Sequence, residues 1–113
     1  MTDCLFCKIV AREIPATIVG ETERSLAFED INAAAPTHAL VIPKHHIASL
    51  ADLGPNQGEL LEDLFGLVTS VAEASDLAHG YRVVTNVGDD GGQTVPHLHF
   101  HLLGGRGLSW PPG

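Results

Sequence analysis

The 113-residue chain is short of positive charge: six Lys and Arg stand against fourteen Asp and Glu, a formal net charge of −8. A surface that neutralises nucleic-acid phosphates needs the opposite balance, which argues against nucleic acid as a partner. An anionic small substrate would have to be held by local donors, because the overall field repels it. Long apolar runs are missing as well. None reaches membrane-spanning length, and the start "MTDCLFCKIVARE" lacks the charged segment and cleavage site of a signal peptide. No membrane partner and a cytoplasmic location are the expectations. Cysteine is scarce: Cys4 and Cys7 are the only two, which is no secreted disulfide framework. Repeats, linkers and composition shifts are absent too, so residues 1–113 read as one domain, at 44% apolar an ordinary globular composition.

Apolar spacing divides the chain into short elements. Residues 4–12 carry a helical pattern with Leu5, Ile9, Phe6 and Cys7 inward, ended by Ile14-Pro15. "TIVGET" and "SLAFED" read as a hairpin turning at residues 21–24, "HALVIP" as a buried strand, and "KHHIASL" as a helical turn. Gly54-Pro55 marks a helix start with Pro55 at the first position. Leu60, Leu61, Leu64, Leu67, Val68, Val71 and Ala72 then recur at helical spacing, predicting one long amphipathic helix ending near Gly80. "YRVVTNV" is a strand, "GDDGG" a turn, and "PHLHFHLLG" the last strand. Strands in this order with one long helix predict an α+β domain around an antiparallel sheet.

In that last strand His97, His99 and His101 alternate with Leu98, Phe100 and Leu102. Successive strand side chains point to opposite faces, so the three imidazoles share one face at intervals of about 7 Å. Just upstream, the Gly-rich turn with Gly92, Gln93 and Thr94 offers backbone N–H groups and neutral side-chain donors, which suit a phosphate. An unprotonated imidazole beside them is an adequate nucleophile towards phosphorus. His-x-His on a strand can also hold catalytic zinc, so a metal-dependent hydrolase stands as an alternative. Cys4-x-x-Cys7 reads as a redox pair, half a zinc site or two buried thiols, although the βαβ setting of a redox motif is missing. His45 and His79 are assigned to the solvated surface.

"HLHFHLL" fits the His-φ-His-φ-His-φ-φ signature (φ apolar) of the histidine triad (HIT) family. "CLFCKIVAREIPA", "LAFEDINAAAPTHALVIPKHHI", "YRVVTNVGDDGGQTVPHLHFHLLGGR" and "SWPPG" resemble its Hint branch of nucleoside phosphoramidases, in order and over nearly the whole chain. The resemblance implies a HIT-like fold: a sheet of about five antiparallel strands, one long helix and at least one short one, and a homodimer with the sheets joined across the two-fold. His99 would be the nucleophile that attacks the α-phosphorus of a purine nucleotide phosphoramidate (AMP or GMP type), and no cofactor would be needed for catalysis. His101, Asn86, Gly92, Gln93 and Thr94 would face the phosphate, and His38 would orient or tune His99. Thr94 stands where many relatives have Ser, keeping the hydroxyl. Asp30 would accept from the ribose hydroxyls, while Leu5, Phe6, Ile9, Phe28 and Ile31 would form an apolar slot for the base. By the same resemblance Cys4, Cys7, His46 and His97 would hold a structural zinc, a closed set of ligands. The tail, residues 109–113 with Trp110, would reach the partner's active site. A nucleotide-binding interaction module whose hydrolysis is incidental is the alternative from another class.

Overall fold

A computed structural model describes residues 3–113, from which every structural statement below is drawn. Among these residues the order is α1 (Leu5–Val10), β1 (Ile18–Glu21), β2 (Ser25–Glu29), β3 (Thr37–Pro43), a 3₁₀ turn (Leu50–Asp52), α2 (Gly58–Ala74), β4 (Tyr81–Val84) and β5 (Phe100–Gly104). The strands form one antiparallel sheet in the order β1-β2-β3-β5-β4. The α+β architecture expected from the sequence is the one found.

Strand alternation sorts the core into two clusters. Ala27, Ala39, Val41, Leu98, Phe100 and Leu102 point to one face, where α2 covers them with Leu64, Leu67, Val68, Val71 and Ala72. Leu26, Phe28, Leu40 and Ile42 point to the other, under Phe6 and Ile9 of α1. With both faces covered, β2 and β3 lose the polar half of the alternation and become nearly continuous apolar runs. Truncating a buried member such as Leu98 or Leu102 would cost about 2–5 kcal/mol. Gly20 lets α2 come close, since a Cβ there would stand 2.9 Å from Leu67 Cδ1 and 3.1 Å from Val71 Cγ2. The helix is also pinned to the β1–β2 turn. Thr22 and Ser25 hydroxyls each donate to Asp63 Oδ2 at 2.6 Å, and these bonds hold that carboxyl below its ordinary range.

Several boundaries differ from expectation. The long helix begins at Gly58 behind Gln57, while Pro55 lies in a preceding turn, a position its fixed φ suits equally well. It ends at Ala74, well before Gly80. Asp76 takes the left-handed conformation (φ 60°), its N–H bonds Glu73 O, and the Leu77 N–H reaches back to Ala72 O at 3.1 Å. That is a Schellman ending with Asp where Gly is usual, completed by burial of Leu77. "KHHIASL" is not helical. The carbonyls of Ile47 and Ala48 accept from Leu98 N and Gln93 Nε2, so they are committed outward, and a 3₁₀ turn begins only at the last residue of the stretch, over Leu50–Asp52. The predicted last strand is shorter, as β5 starts at Phe100. Residues 97–99 pair with the loop instead, through Leu98 N to Ile47 O, yet the side-chain alternation holds through them. Leu5, expected inward, is 45% exposed.

Candidate functional site

Between α1 and the sheet lies a cavity of about 420 Å³ whose walls include Leu5, Phe6, Ile9, Phe28, Asp30, Ile31, Thr94, His99 and His101. Phe6 is the hinge of this wall. Its ring meets Phe28 edge-on at 5.4 Å and His99 at 5.1 Å. Six residues of helix are too few to persist alone, since isolated helices need about 12–15, so α1 depends on what holds Phe6, Ile9, Cys7 and the capping Cys4. Ile31, 94% exposed, stands at the rim rather than inside.

Partners of the ring nitrogens assign every proton that matters. His99 Nδ1 lies 2.7 Å from His97 O, so Nδ1–H donates and Nε2 keeps its lone pair. The Thr85 hydroxyl donates to His99 O at 2.8 Å and fixes the backbone of the same residue. At His38, the Ala34 N–H donates to Nδ1 at 3.0 Å, which puts the ring proton on Nε2. That proton faces His101 Nδ1 at 2.9 Å, with Asp30 Oδ2 at 3.3 Å as a second acceptor. His101 therefore carries its own proton on Nε2. Burial, followed by the neighbouring imidazoles of His99 and His38, pushes its pKa down to about 4 against the opposing pull of Asp30. At neutral pH His101 is an uncharged hydrogen-bond donor.

A second group lies beside this one. Cys4, Cys7, His46 and His97 bring one ligand atom each to within 4.8 Å of one another. His97 Nε2–H donates to Pro43 O at 2.8 Å, which leaves Nδ1 bare. Around that lone pair stand Cys4 Sγ at 3.2 Å, Cys7 Sγ at 3.5 Å and His46 Nδ1 at 3.2 Å, with Cys7 Sγ 3.3 Å from His46 Nδ1. Zinc bonds of about 2.0 Å to nitrogen and 2.3 Å to sulfur give tetrahedral edges of about 3.3 Å (N···N) and 3.5 Å (N···S), so the four residues fit that ion. Burial, then the neighbouring Cys4, pushes the Cys7 thiol up to about 11, and burial holds His97 below its ordinary value.

Asp30, His38 and His101 also converge within 4.8 Å, but they do not suit a metal. An ion on His38 Nε2 would displace its proton to Nδ1, directly against the Ala34 N–H. Other residues named from the sequence stand elsewhere. Asn86 Nδ2 donates to Gly91 O at 2.6 Å, and Gln93 Nε2 donates to both Ala48 O and Val95 O. Gly92 turns the same loop at φ 79°. These three brace the loop and, with His38, lie outside the cavity wall, where Thr94 and Val95 of the loop take part. Trp110 is 82% exposed, and Arg82 donates to the neighbouring Ser109 O. His45 and His79 are exposed, as expected. Thr85, Ala34 and the carbonyls of Pro43 and His97 went unrecognised in the sequence. Only Thr85 had a signal, a hydroxyl at the end of a strand beside the histidines.

An open antiparallel sheet backed by one long helix, with alternating histidines entering its fourth-placed strand, defines a histidine-triad architecture. The HIT domain model matches residues 11–108, and the chain belongs to that family. It is 52% identical to an uncharacterized HIT-like protein of Synechococcus elongatus, over 98% of this chain and 97% of that one. A 14 kDa zinc-binding protein of Zea mays is 49% identical over 96% of this chain and 87% of its own length. Among solved structures, the HIT family hydrolase from Legionella pneumophila superposes with a TM-score of 0.96 at 52% identity, covering 98% of this chain and all of that one. Among the described residues no helix is long and apolar enough to cross a membrane.

Proposed function

We propose that this protein is a hydrolase of purine nucleoside phosphoramidates that cleaves the P–N bond through a nucleotidyl-His99 intermediate. The observation that carries the reading is the bare Nε2 of His99, held by the His97 carbonyl at the wall of an apolar cavity. The Legionella relative's description as a hydrolase agrees with it. His99 Nε2 attacks phosphorus; as the N–P bond to the enzyme forms, the substrate P–N bond breaks, and the amine leaves on the solvent side with a proton from water. Water then adds its oxygen to phosphorus, gives its proton to solvent, and the His99–phosphorus bond breaks. The Nε2–H of His101 donates to the phosphate oxygens as their charge builds, the stage at which such a donor is most effective. Thr94 is a second donor, with Asn86, Gly92 and Gln93 shaping its loop. Leu5, Phe6, Ile9, Phe28 and Ile31 take the flat base by shape, so discrimination between adenine and guanine is weak. Asp30 accepts from the ribose hydroxyls.

A zinc ion on Cys4, Cys7, His46 and His97 would be structural, tying both ends of the first turn of α1 to the segment before β5 that carries His99. No cofactor serves the chemistry. Two cysteines that form no disulfide suit the reducing cytoplasm. The functional unit is a two-fold dimer. Strand β4 is a sheet edge with Tyr81 and Val83 exposed, and pairing two such edges joins the sheets and carries each 109–113 tail towards the other cavity. Rapid quench of an adenosine phosphoramidate reaction followed by intact-protein mass spectrometry tests the reading. The wild type should carry an added nucleoside monophosphate, and His99→Ala should carry none while losing at least a thousandfold in turnover. Turnover of His99→Ala within tenfold of wild type overturns the assignment.

A further inference from the structure

We infer that Arg106, outside the cavity, is a positioning residue that sets the proton arrangement of the His38–His101 pair. The inference rests on the function proposed above and adds the group that holds its donor in place. After β5 the chain turns at Gly105 (φ 91°), packed so tightly that a Cβ there would stand 2.9 Å from Pro36 Cβ. This turn delivers the Arg106 side chain to the segment between β2 and β3. Its two terminal nitrogens donate to main-chain carbonyls, one to Ala34 O and one to Gly107 O, both at 2.9 Å. Among the described residues it pairs with no carboxylate, in a chain where Arg12, Arg24 and Lys44 all do.

Ala34 is the residue whose N–H donates to His38 Nδ1. Its segment is tied at the start by the Asn32 N–H, which donates to Asp30 Oδ1 at 2.8 Å, and at Ala34 by the bonds to His38 and Arg106. Residues 31–36 form neither helix nor strand, and Ala33, Ala34 and Ala35 are too short to anchor it through polar side chains, only Ala35 being buried. The Arg106 bond to the Ala34 carbonyl therefore keeps the Ala34 N–H aimed at His38. Release of that N–H lets water donate to, or accept from, Nδ1, so both neutral tautomers of His38 become accessible. With the proton on Nδ1, the His38 Nε2 lone pair would face the His101 Nδ1 lone pair at 2.9 Å, and His101 must shift its own proton to Nδ1. His101 Nε2 then presents a lone pair, not a donor, to the phosphate. One exposed guanidinium thus acts, together with the Asp30 carboxylate at His38 Nε2, on the sign of a contact it never touches. A forked donor suits the task better than an ammonium, because it grips two carbonyls in fixed geometry.

The test uses zinc-loaded protein with nitrogen-15 in its histidines. Two-bond proton–nitrogen spectra at neutral pH should place the protons of His38 and His101 on Nε2 in the wild type. In Arg106→Ala both rings should become tautomer mixtures together, and kcat for an adenosine phosphoramidate should fall about tenfold with KM within about twofold. Arg106→Lys should restore most of the wild-type pattern, and Arg106→Gln, which keeps one N–H for Ala34 O, serves if the alanine variant does not fold. Unshifted tautomers in the folded variants, or a loss confined to KM, overturn the inference. A wild type that forms no nucleotidyl-His99 adduct refutes the phosphoramidase reading instead, and the spectra still decide the role of Arg106.

Discussion

Two groups of side chains on one face of the sheet bring potential metal ligands equally close, within 4.8 Å in each case, yet their chemistry differs. In the group of Cys4, Cys7, His46 and His97, the proton of His97 is drawn away to Pro43 O and the bare nitrogen faces two sulfurs and a second imidazole. In the group of Asp30, His38 and His101, the proton of His38 is pushed into the middle by the Ala34 N–H. Proximity of ligand atoms is common to both. What separates a metal centre from a hydrogen-bonded relay is the outer partner of each ring, here a carbonyl in one case and an amide N–H in the other.

Cys4→Ser should break the first group with the largest effect. Protein made without a polyhistidine tag should contain about one zinc per chain, and the variant should lose the metal and roughly 10 °C or more of Tm. Asp30→Asn, in the second group, should keep the metal in full; elemental analysis of both variants settles the contrast, and metal-free wild type with the Tm of Cys4→Ser would abolish it. Next in size, His101→Ala should lower kcat about a hundredfold, the typical cost of a lost transition-state donor, with zinc content unchanged. Gln93→Ala follows. Its amide holds Ala48 O, Val95 O and Gly88 N, so denaturant unfolding should reveal a loss of about 1–3 kcal/mol from carbonyls left without donors. If stability is unchanged while kcat falls, Gln93 faces the phosphate instead of bracing the loop.

The smallest effect is on pH dependence. The folded pKa of His101, about 4, lies below its ordinary 6.5, with His99, His38 and Asp30 as its charged or titratable neighbours. Above pH 6.5 neither state holds the proton, and the contribution of this group to stability is at its full value. As pH falls from 6.5 towards 4 the unfolded chain takes up a proton that the folded one refuses, so stability declines over that window and levels off below it. Wild type should thus lose more stability than His101→Asn between pH 7 and pH 5 in urea titrations. Equal losses would mean that His101 is not held neutral.

Much of this was legible in the sequence because periodicity reports which face a side chain takes. The alternation of His97, His99 and His101 with Leu98, Phe100 and Leu102 survives even though β5 begins only at Phe100. The apolar stripe from Leu64 to Ala72 likewise lies on the sheet as expected. Ends were harder to read. Asp76 occupies a left-handed position usually filled by Gly, so the helix stops before the visible glycine at residue 80. "KHHIASL" resembled a turn of helix because nothing in its composition reveals that Ile47 O and Ala48 O bond a loop some 45 residues on, as the Ala48–Gln93 contact does. Proton placement was illegible for the same reason. Peptide groups set it, and every residue type carries them.

That last feature has a bearing on how freely the chain can vary. The proton positions of His97, His99 and His38 are governed by Pro43 O, His97 O and the Ala34 N–H, three main-chain groups. Exchanging a side chain does not delete a carbonyl, and only proline at residue 34 would delete that N–H. Tautomer identity is thereby inherited chiefly with the path of the backbone, which Arg106 holds at residue 34 and which Asp30 seconds at His38 Nε2. Positions that neither hold that path nor face the rings are left free to drift, and the imidazoles keep their protons where the chemistry uses them.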